Sequence, residues 1–251
     1  MSDAVEVMPG AEPFAAAGGP VGVLVLHGFT GNPGSMRGLA EAFAAAGYTV
    51  DLPRLPGHGT SVEDLLTTGW SDWSAAAEAA YEALAATCEQ VVVVGLSMGG
   101  SLTCWLGTRH QDIAGLVCIN PAVAPSADMR ALVAAMTESG EELMDGIGSD
   151  VADPDVVESA YAQTPLRPLL TLFDASAEVV GDLGSITSPL LLFTSPQDHV
   201  VPPADSDVLA AAVSGPVERV SCERSFHVAT IDFDKDLIRD RSLEFIARVT
   251  A

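Results

Sequence analysis

A serine flanked by glycines is the clearest chemical signal in the chain. The run Gly95-Leu96-Ser97-Met98-Gly99 follows consecutive valines at 91–94, and a helical pattern over 97–109 begins within it. A G-x-S-x-G run between a buried strand and a helix is typical of a nucleophile elbow, a strained turn that exposes the serine hydroxyl. The motif is short and also occurs by chance, but this context favours the elbow. We therefore predict that Ser97 is a nucleophile.

A serine nucleophile requires a base to take its proton and an acid to orient that base. In sheets that carry such an elbow, the acid and the base follow the serine in that order, on loops after late strands. Asp198 follows the apolar run 189–194, and His227 follows the run 217–222. We predict Asp198 as the acid and His227 as the base, and we interpret the remaining histidines as structural.

Acyl transfer also requires hydrogen-bond donors for the oxyanion of the tetrahedral intermediate. The backbone N–H of Met98 lies at the predicted start of a helix, directly after the nucleophile. The loop at 27–31 reads His-Gly-Phe-Thr-Gly, and the N–H of Phe29 is the second predicted donor. A phosphate-binding loop is the rival interpretation of this segment, but no Gly-Lys-Ser or Gly-Lys-Thr follows it.

The elements that must position these residues alternate between short apolar runs and amphipathic stretches. This rhythm predicts an α/β fold with a mostly parallel sheet and helices on both faces. The valine run at 91–94 is the best candidate for a central strand. The predicted strands are 21–26, 48–52, 91–94, 114–119, 189–194 and 217–222, and the predicted helices are 33–46, 70–86, 97–109, 204–213 and 235–249.

The alternation stops between residues 122 and 185. Proline and glycine punctuate this stretch, which favours short helices, predicted at 129–136 and 155–162. We expect a core made of 1–121 and 186–251, with residues 122–185 inserted as a small helical cap.

Composition limits the possible functions. The chain has 251 residues, 48% of them hydrophobic, which suits one domain that folds without a partner. Its formal net charge is −23, so a phosphate backbone would be repelled and nucleic acid is excluded as a natural partner. The four cysteines form no C-x-x-C pair, which favours buried thiols over disulfides or a metal site.

The expected location is the cytoplasm. The N-terminus is acidic where a signal peptide would be basic, and no apolar region follows it. No apolar run approaches the roughly 20 residues that span a bilayer. Transient contact with lipid aggregates or a membrane surface remains compatible with this pattern.

Taken together, the motifs resemble the bacterial monoacylglycerol lipases and related small-cap carboxylesterases of the α/β-hydrolase superfamily. The similarity covers nearly the whole chain and includes the cap. The stretches that carry it are 10–14, 27–31, 35–37, 52–54, 57–60, 96–100, 147–150, 154–156, 161–165, 198–203 and 227–230, together with Glu158.

The resemblance implies specific roles and a substrate. Ser97, Asp198 and His227 would form the triad, and Phe29 and Met98 would supply the oxyanion hole. Asn120 and Glu158 would face the glycerol end of a monoacylglycerol, and Ile147 would line the passage between cap and site. The implied reaction releases glycerol and a fatty acid without a metal or an organic cofactor.

Two alternatives remain open at this stage. A carboxylesterase with broader specificity for short and medium acyl esters would use the same machinery. A ligand sensor that retains the triad but turns over negligibly belongs to a different class, because a fold and its site can be co-opted for binding. An epoxide hydrolase is disfavoured, since its nucleophile would be an aspartate at position 97.

Overall fold

The computed structural model of the protein describes residues 6–146 and 148–251. The prediction that no signal peptide is present rests chiefly on residues 1–5, which lie outside the described residues. The same is true of the predicted role of Ile147.

Strands and helices alternate along the described chain much as predicted. The strands are β1 (Phe14–Ala16), β2 (Val21–Leu26), β3 (Thr49–Leu52), β4 (Gln90–Leu96), β5 (Gly115–Ile119), β6 (Leu143–Asp145), β7 (Gln163–Pro165), β8 (Leu190–Thr194) and β9 (Val217–Ser221). The helices are α1 (Gly34–Ala45), α2 (Val62–Leu65), α3 (Trp70–Ala85), α4 (Met98–Arg109), α5 (Ala127–Glu138), α6 (Leu166–Asp182), α7 (Ala204–Ala212) and α8 (Lys235–Val249).

One large sheet forms the centre of the molecule. Within the described residues it has seven strands in the order β1-β3-β2-β4-β5-β8-β9. Only β1 runs antiparallel to its neighbour in this sheet, and the remaining pairs are parallel. The prediction of β4 as a central strand is confirmed: it lies between β2 and β5, and Val91 to Val94 are all buried.

Each face of the sheet is covered by helices. On one face, Phe43 of α1 and Phe245 of α8 pack in the same cluster as Val92. On the other face, Trp73 of α3 and Leu102 of α4 pack with Val93. A strand buried on both faces needs apolar residues at consecutive positions rather than in alternation, which explains the valine run.

The predicted insertion differs from expectation in its second half. The helix predicted at 129–136 is present as α5, but the helix predicted at 155–162 is wrong, because that segment is a turn followed by irregular chain. The short strands β6 and β7 lie on either side of this segment and pair antiparallel, and the long helix α6 follows β7; none of these three elements was predicted. Leu172 and Val179 of α6 join the same buried cluster as Trp73, so this helix packs on the core as the crossover between β5 and β8.

No helix in the described part of the chain is long and apolar enough to cross a membrane.

Candidate active site

Ser97 occupies a strained turn between β4 and α4. Its backbone has φ 56° and ψ −119°, a conformation that residues with a side chain rarely adopt. The Ser97 N–H donates to the carbonyl of Ile119 at 3.0 Å, and the Ser97 carbonyl accepts from the N–H of Ala122 at 3.2 Å. These bonds on both sides hold the serine at the carboxyl edge of the sheet.

The two glycines of the motif are required by close backbone approach. A Cβ atom on Gly95 would lie 2.0 Å from the carbonyl oxygen of Gly99, and one on Gly99 would lie 2.2 Å from that of Leu26. Both distances are far below van der Waals contact, and backbone atoms cannot move aside as side chains do. The glycine spacing therefore reflects two close contacts: within the turn that joins β4 to α4, and between this turn and the end of β2.

Asp198 and His227 are in direct contact. Nδ1 of His227 lies 2.7 Å from Oδ2 of Asp198, and the two side chains are only 8% and 2% exposed. A carboxylate accepts hydrogen bonds, so Nδ1 carries the proton and Nε2 is left free to act as a base. The second oxygen, Oδ1, accepts the N–H groups of Val200 and Val201, each at 2.8 Å, which fixes the carboxylate.

Asn120 joins the loops that follow β5, β8 and β9. Its Oδ1 accepts the N–H of Ser195 at 2.8 Å, while its Nδ2 donates to Ser195 Oγ at 3.0 Å and to the carbonyl of His227 at 2.8 Å. These partners differ from the glycerol hydroxyl that the resemblance implies. The amide is buried and bonded within the protein, so it connects the loops that contain Ser195 and His227.

The loop after β2 lies against the serine. A Cβ atom on Gly28 would lie 3.3 Å from Cβ and 3.9 Å from Oγ of Ser97, so the loop lies beside the serine at the residue directly before Phe29. The ring of Phe29 packs against Trp73, with the ring centres 5.4 Å apart. Met98 is the first residue of α4, where a backbone N–H has no partner within the helix. The two predicted donors therefore flank the nucleophile.

His27 supports this loop as a neutral ring. Its Nε2 accepts the N–H of Leu55 at 3.1 Å, so Nδ1 carries the proton and donates to the carbonyl of Gly28 at 2.9 Å. Burial lowers the pKa of His27 to about 4; the hydrogen bond to the carbonyl of Gly28 opposes this change, and the nearby Arg54 guanidinium contributes to it. Both ring nitrogens are occupied, which agrees with the interpretation of His27 as structural.

Glu158 reaches into the site from the cap. Its Oε1 would lie 2.9 Å from a Cβ atom on Gly31, at the end of the loop that carries Phe29. Burial raises the pKa of Glu158 to about 7; the nearby His227 opposes this rise and the carboxylate of Asp150 adds to it. The carboxyl group thus lies between the loop that carries Phe29 and the side chain of His227.

The irregular segment around Glu158 is held by distant loops. The N–H of Tyr161 donates to the carbonyl of Thr30 at 3.1 Å, and Nδ2 of Asn32 donates to the carbonyl of Ser159 at 2.5 Å. The N–H of Glu158 donates to Oγ of Ser149 at 2.9 Å. Helical hydrogen bonds are replaced by these contacts, which is why the helix predicted at 155–162 does not form.

Sequence reasoning missed two buried aspartates, Asp150 and Asp232. Asp150 accepts hydrogen bonds from the loops that contain His227 and Asp198. Asp232 accepts the N–H groups of Ala152, two residues after Asp150, and of Phe226, directly before His227. In a chain with 34 acidic residues, spacing does not distinguish them. Asp150 does fall in the stretch 147–150 that carries the family resemblance, and this was the only available signal.

A mostly parallel sheet with a strained serine at the end of a central strand, and an Asp–His pair on later loops, defines a serine hydrolase of the α/β-hydrolase fold. The sequence model of the family described as serine aminopeptidase, S33, matches residues 21–234, and the chain belongs to this family.

Several known proteins are similar over almost the full length. A thermostable monoacylglycerol lipase from Bacillus sp. (strain H-257) is 50% identical over 251 residues, covering 99% of both chains. A carboxylesterase from Bacillus subtilis (strain 168) is 30% identical, covering 95% of this chain and 97% of its own. A solved structure from a study of the metagenome-derived lipolytic enzymes LipS and LipT has a TM-score of 0.93 and 42% identity, covering 97% of this chain and all of its own.

Proposed function

We propose that this protein hydrolyses monoacylglycerols to glycerol and a fatty acid through an acyl-enzyme. Ser97 Oγ attacks the ester carbonyl while His227 Nε2 takes its proton, and Asp198 stabilises the imidazolium. The N–H groups of Phe29 and Met98 stabilise the oxyanion. Glycerol leaves with the proton from His227. Water, deprotonated by the same nitrogen, then attacks the acyl carbonyl and releases the fatty acid and Ser97.

The observation that carries the substrate assignment is the position of Glu158. Its carboxyl group lies against Gly31 and near His227, where the alcohol portion of a bound ester would lie. Glycerol monoesters retain free hydroxyls that can donate to this carboxylate. A buried polar group without a partner is unfavourable, so esters without such hydroxyls bind less well. The similarity to a monoacylglycerol lipase over 99% of the chain supports the same assignment.

A broader carboxylesterase is the second candidate, favoured by the similarity to the Bacillus subtilis carboxylesterase. The two functions share the acylation chemistry and differ in whether the alcohol portion is recognised. Glu158 therefore distinguishes them. Loss of its carboxylate should lower the kcat/KM of a monoacylglycerol lipase, and it should not affect an esterase that recognises only the acyl chain.

The experiment is a comparison of kcat/KM across substrates and variants. Monoacylglycerols of several chain lengths, a triacylglycerol, a p-nitrophenyl ester and an aminoacyl p-nitroanilide are tested. The anilide addresses the peptidase activity in the family description. We expect the monoacylglycerols to be much better substrates than the triacylglycerol, because the proposed site would accept one acyl chain and one glycerol end and would exclude further chains.

Glu158→Gln provides the decisive variant. We expect kcat/KM for monoacylglycerol to fall about 10-fold or more, roughly 1.4 kcal/mol, while the p-nitrophenyl ester is much less affected. Glu138→Gln is the matched control, because Glu138 is an exposed residue at the end of the cap helix α5. No loss on either substrate would favour the carboxylesterase, equal losses on both would mean that Glu158 is structural, and preference for triacylglycerol would refute the proposal.

We further propose that the enzyme meets its substrate by transient contact with neutral lipid aggregates. Met129 and Leu132 of α5 are 46% and 52% exposed on the cap. The net charge of −23 disfavours an anionic surface. Cosedimentation with zwitterionic vesicles tests this, and binding unaffected by polar substitution at both positions would contradict it.

A further inference from the structure

We infer that Asp150 of the cap is a positioning residue that holds the acid loop and the base loop of the active site together. This inference rests on the proposed roles of Asp198 and His227.

The carboxylate of Asp150 bonds to both loops at once. Its Oδ2 accepts the backbone N–H of His227 at 3.0 Å and the backbone N–H of His199 at 3.2 Å. Its Oδ1 lies 2.8 Å from Nδ1 of His199. His199 directly follows the predicted acid, and His227 is the predicted base. One oxygen of a cap residue therefore ties the backbone of the two loops whose side chains form the Asp198–His227 bond.

The site of this carboxylate is suited to a positioning role. The Asp150 side chain is only 9% exposed, so its hydrogen bonds face little competition from water. Hydrogen bonds to a charged group are stronger than neutral ones, and removing the acceptor leaves buried N–H groups unsatisfied. The backbone of the base loop is also bonded to Asp150, since the N–H of Val228 donates to its carbonyl at 3.1 Å.

A second carboxylate keeps the cap attached without Asp150. Oδ2 of the fully buried Asp232 accepts the N–H groups of Ala152 and Phe226, at 2.8 and 2.9 Å. Oδ1 accepts the N–H of Asp153 at 3.0 Å. These bonds do not involve the side chain of Asp150. Removal of the Asp150 carboxylate should therefore loosen the loops of Asp198 and His227 while the cap stays attached.

The consequence for catalysis is specific. His227 must reach both the serine and the leaving oxygen, and a displacement of about 1 Å can cost on the order of 100-fold in rate. Loss of the Asp150 carboxylate should therefore lower kcat for every ester by a similar factor and leave KM nearly unchanged. This pattern differs from that expected for Glu158, which changes the ratio between substrates.

The test compares Asp150→Ala, Asp150→Asn and Asp155→Ala. Active sites are first titrated with a serine-directed phosphonate, so that kcat is expressed per competent site and loss of folded protein is not counted. Asp155→Ala is the matched control, because it removes an exposed cap carboxylate that bonds neither loop. In Asp150→Asn, the amide oxygen can take the place of Oδ2 and accept both backbone N–H groups.

We expect Asp150→Ala to lose about 10- to 100-fold in kcat per titrated site on both monoacylglycerol and p-nitrophenyl ester, at nearly unchanged KM. Asp150→Asn should recover most of this loss, and Asp155→Ala should match the wild type. Unchanged kcat per site in Asp150→Ala would overturn the inference, as would an equal loss in Asp155→Ala or a loss confined to KM. The proposed function itself fails separately, if Ser97→Ala retains turnover.

Discussion

The carboxyl group of Glu158 rests against the α-carbon of Gly31, so closely that a methyl group on Gly31 would lie 2.9 Å from Oε1. Glu158 belongs to the segment 122–185, and Gly31 belongs to the loop that follows β2. The absence of a side chain at position 31 therefore determines where the carboxyl group of Glu158 can lie. Two segments that are far apart in the chain therefore meet at this contact.

Gly31→Ala is expected to act through Glu158. Gly31 does not have a positive φ, so alanine fits the backbone and only the carboxyl group must move. We expect kcat/KM for monoacylglycerol to fall about 3- to 10-fold, with little change for a p-nitrophenyl ester. A double-mutant cycle with Glu158→Gln checks the mechanism: the two effects should be strongly non-additive. Full additivity would show that alanine acts on the oxyanion loop itself.

Ser97→Ala is expected to remove the nucleophile while leaving the turn in place. We expect kcat to fall roughly 10⁴-fold or more, and stoichiometric labelling by a serine-directed phosphonate to disappear. Mass spectrometry of the labelled protein and steady-state kinetics provide the measurements. The exposed Ser71 is the control position, and Ser71→Ala should be labelled normally. A Ser97→Ala protein that retains turnover would require another nucleophile.

The protonation of Glu158 should affect how the free energy of unfolding depends on pH. Burial raises its pKa in the folded protein to about 7, above the ordinary value of 4.5. The folded state therefore favours the protonated carboxyl, and this contribution to stability is lost as pH rises from about 4.5 to about 7. Relative to wild type, Glu158→Gln should gain stability between pH 5 and pH 8, by on the order of 2 kcal/mol. Urea unfolding at both pH values measures this. A difference that does not change with pH would mean that Glu158 titrates normally.

Gly99→Ala should destabilise the elbow. The added Cβ would lie 2.2 Å from the carbonyl oxygen of Leu26, and a strand backbone cannot yield without disturbing the sheet. We expect a loss of about 3 kcal/mol or more, at the upper end of overpacking effects. Gly181→Ala near the end of α6 is the control: nothing lies within 4 Å of its added Cβ, and helix propensity predicts a gain of about 0.5–1 kcal/mol. Comparable losses in both variants would contradict the packing argument.

The local sequence pattern predicts most of the strands and helices of the core. Strand β2 and helix α8 begin and end at the predicted residues, Val21–Leu26 and Lys235–Val249. Their signals, a continuous apolar run and an amphipathic period, are properties of neighbouring residues and do not depend on the remainder of the fold. The elbow at Ser97 was predictable for the same reason, since its glycines, strand and helix are contiguous.

The prolines at positions 165 and 168 do not interrupt helical structure as the sequence pattern predicts. Pro165 precedes the first residue of α6, and Pro168 lies in the first turn of this helix. Backbone N–H groups in the first turn of a helix have no carbonyl partner within the helix. Proline, which lacks this N–H, is therefore tolerated there. The length of α6 depends on its buried face, which packs against α3 and α4 and is therefore a property of the tertiary structure.

The sequence by itself determined the fold class, the elbow and the order of the predicted serine, acid and base along the chain, because the alternation of strands and helices is a local pattern that also shows which residues follow each strand. Only the tertiary structure decided how those loops are held. Asn120 bonds to Ser195 and His227, and Asp150 bonds to His199 and His227, across chain separations of 49 to 107 residues. No local pattern encodes such partners. A hydrogen bond between distant loops depends on where the whole sheet brings them, so the functions of these two side chains become visible only in the folded molecule.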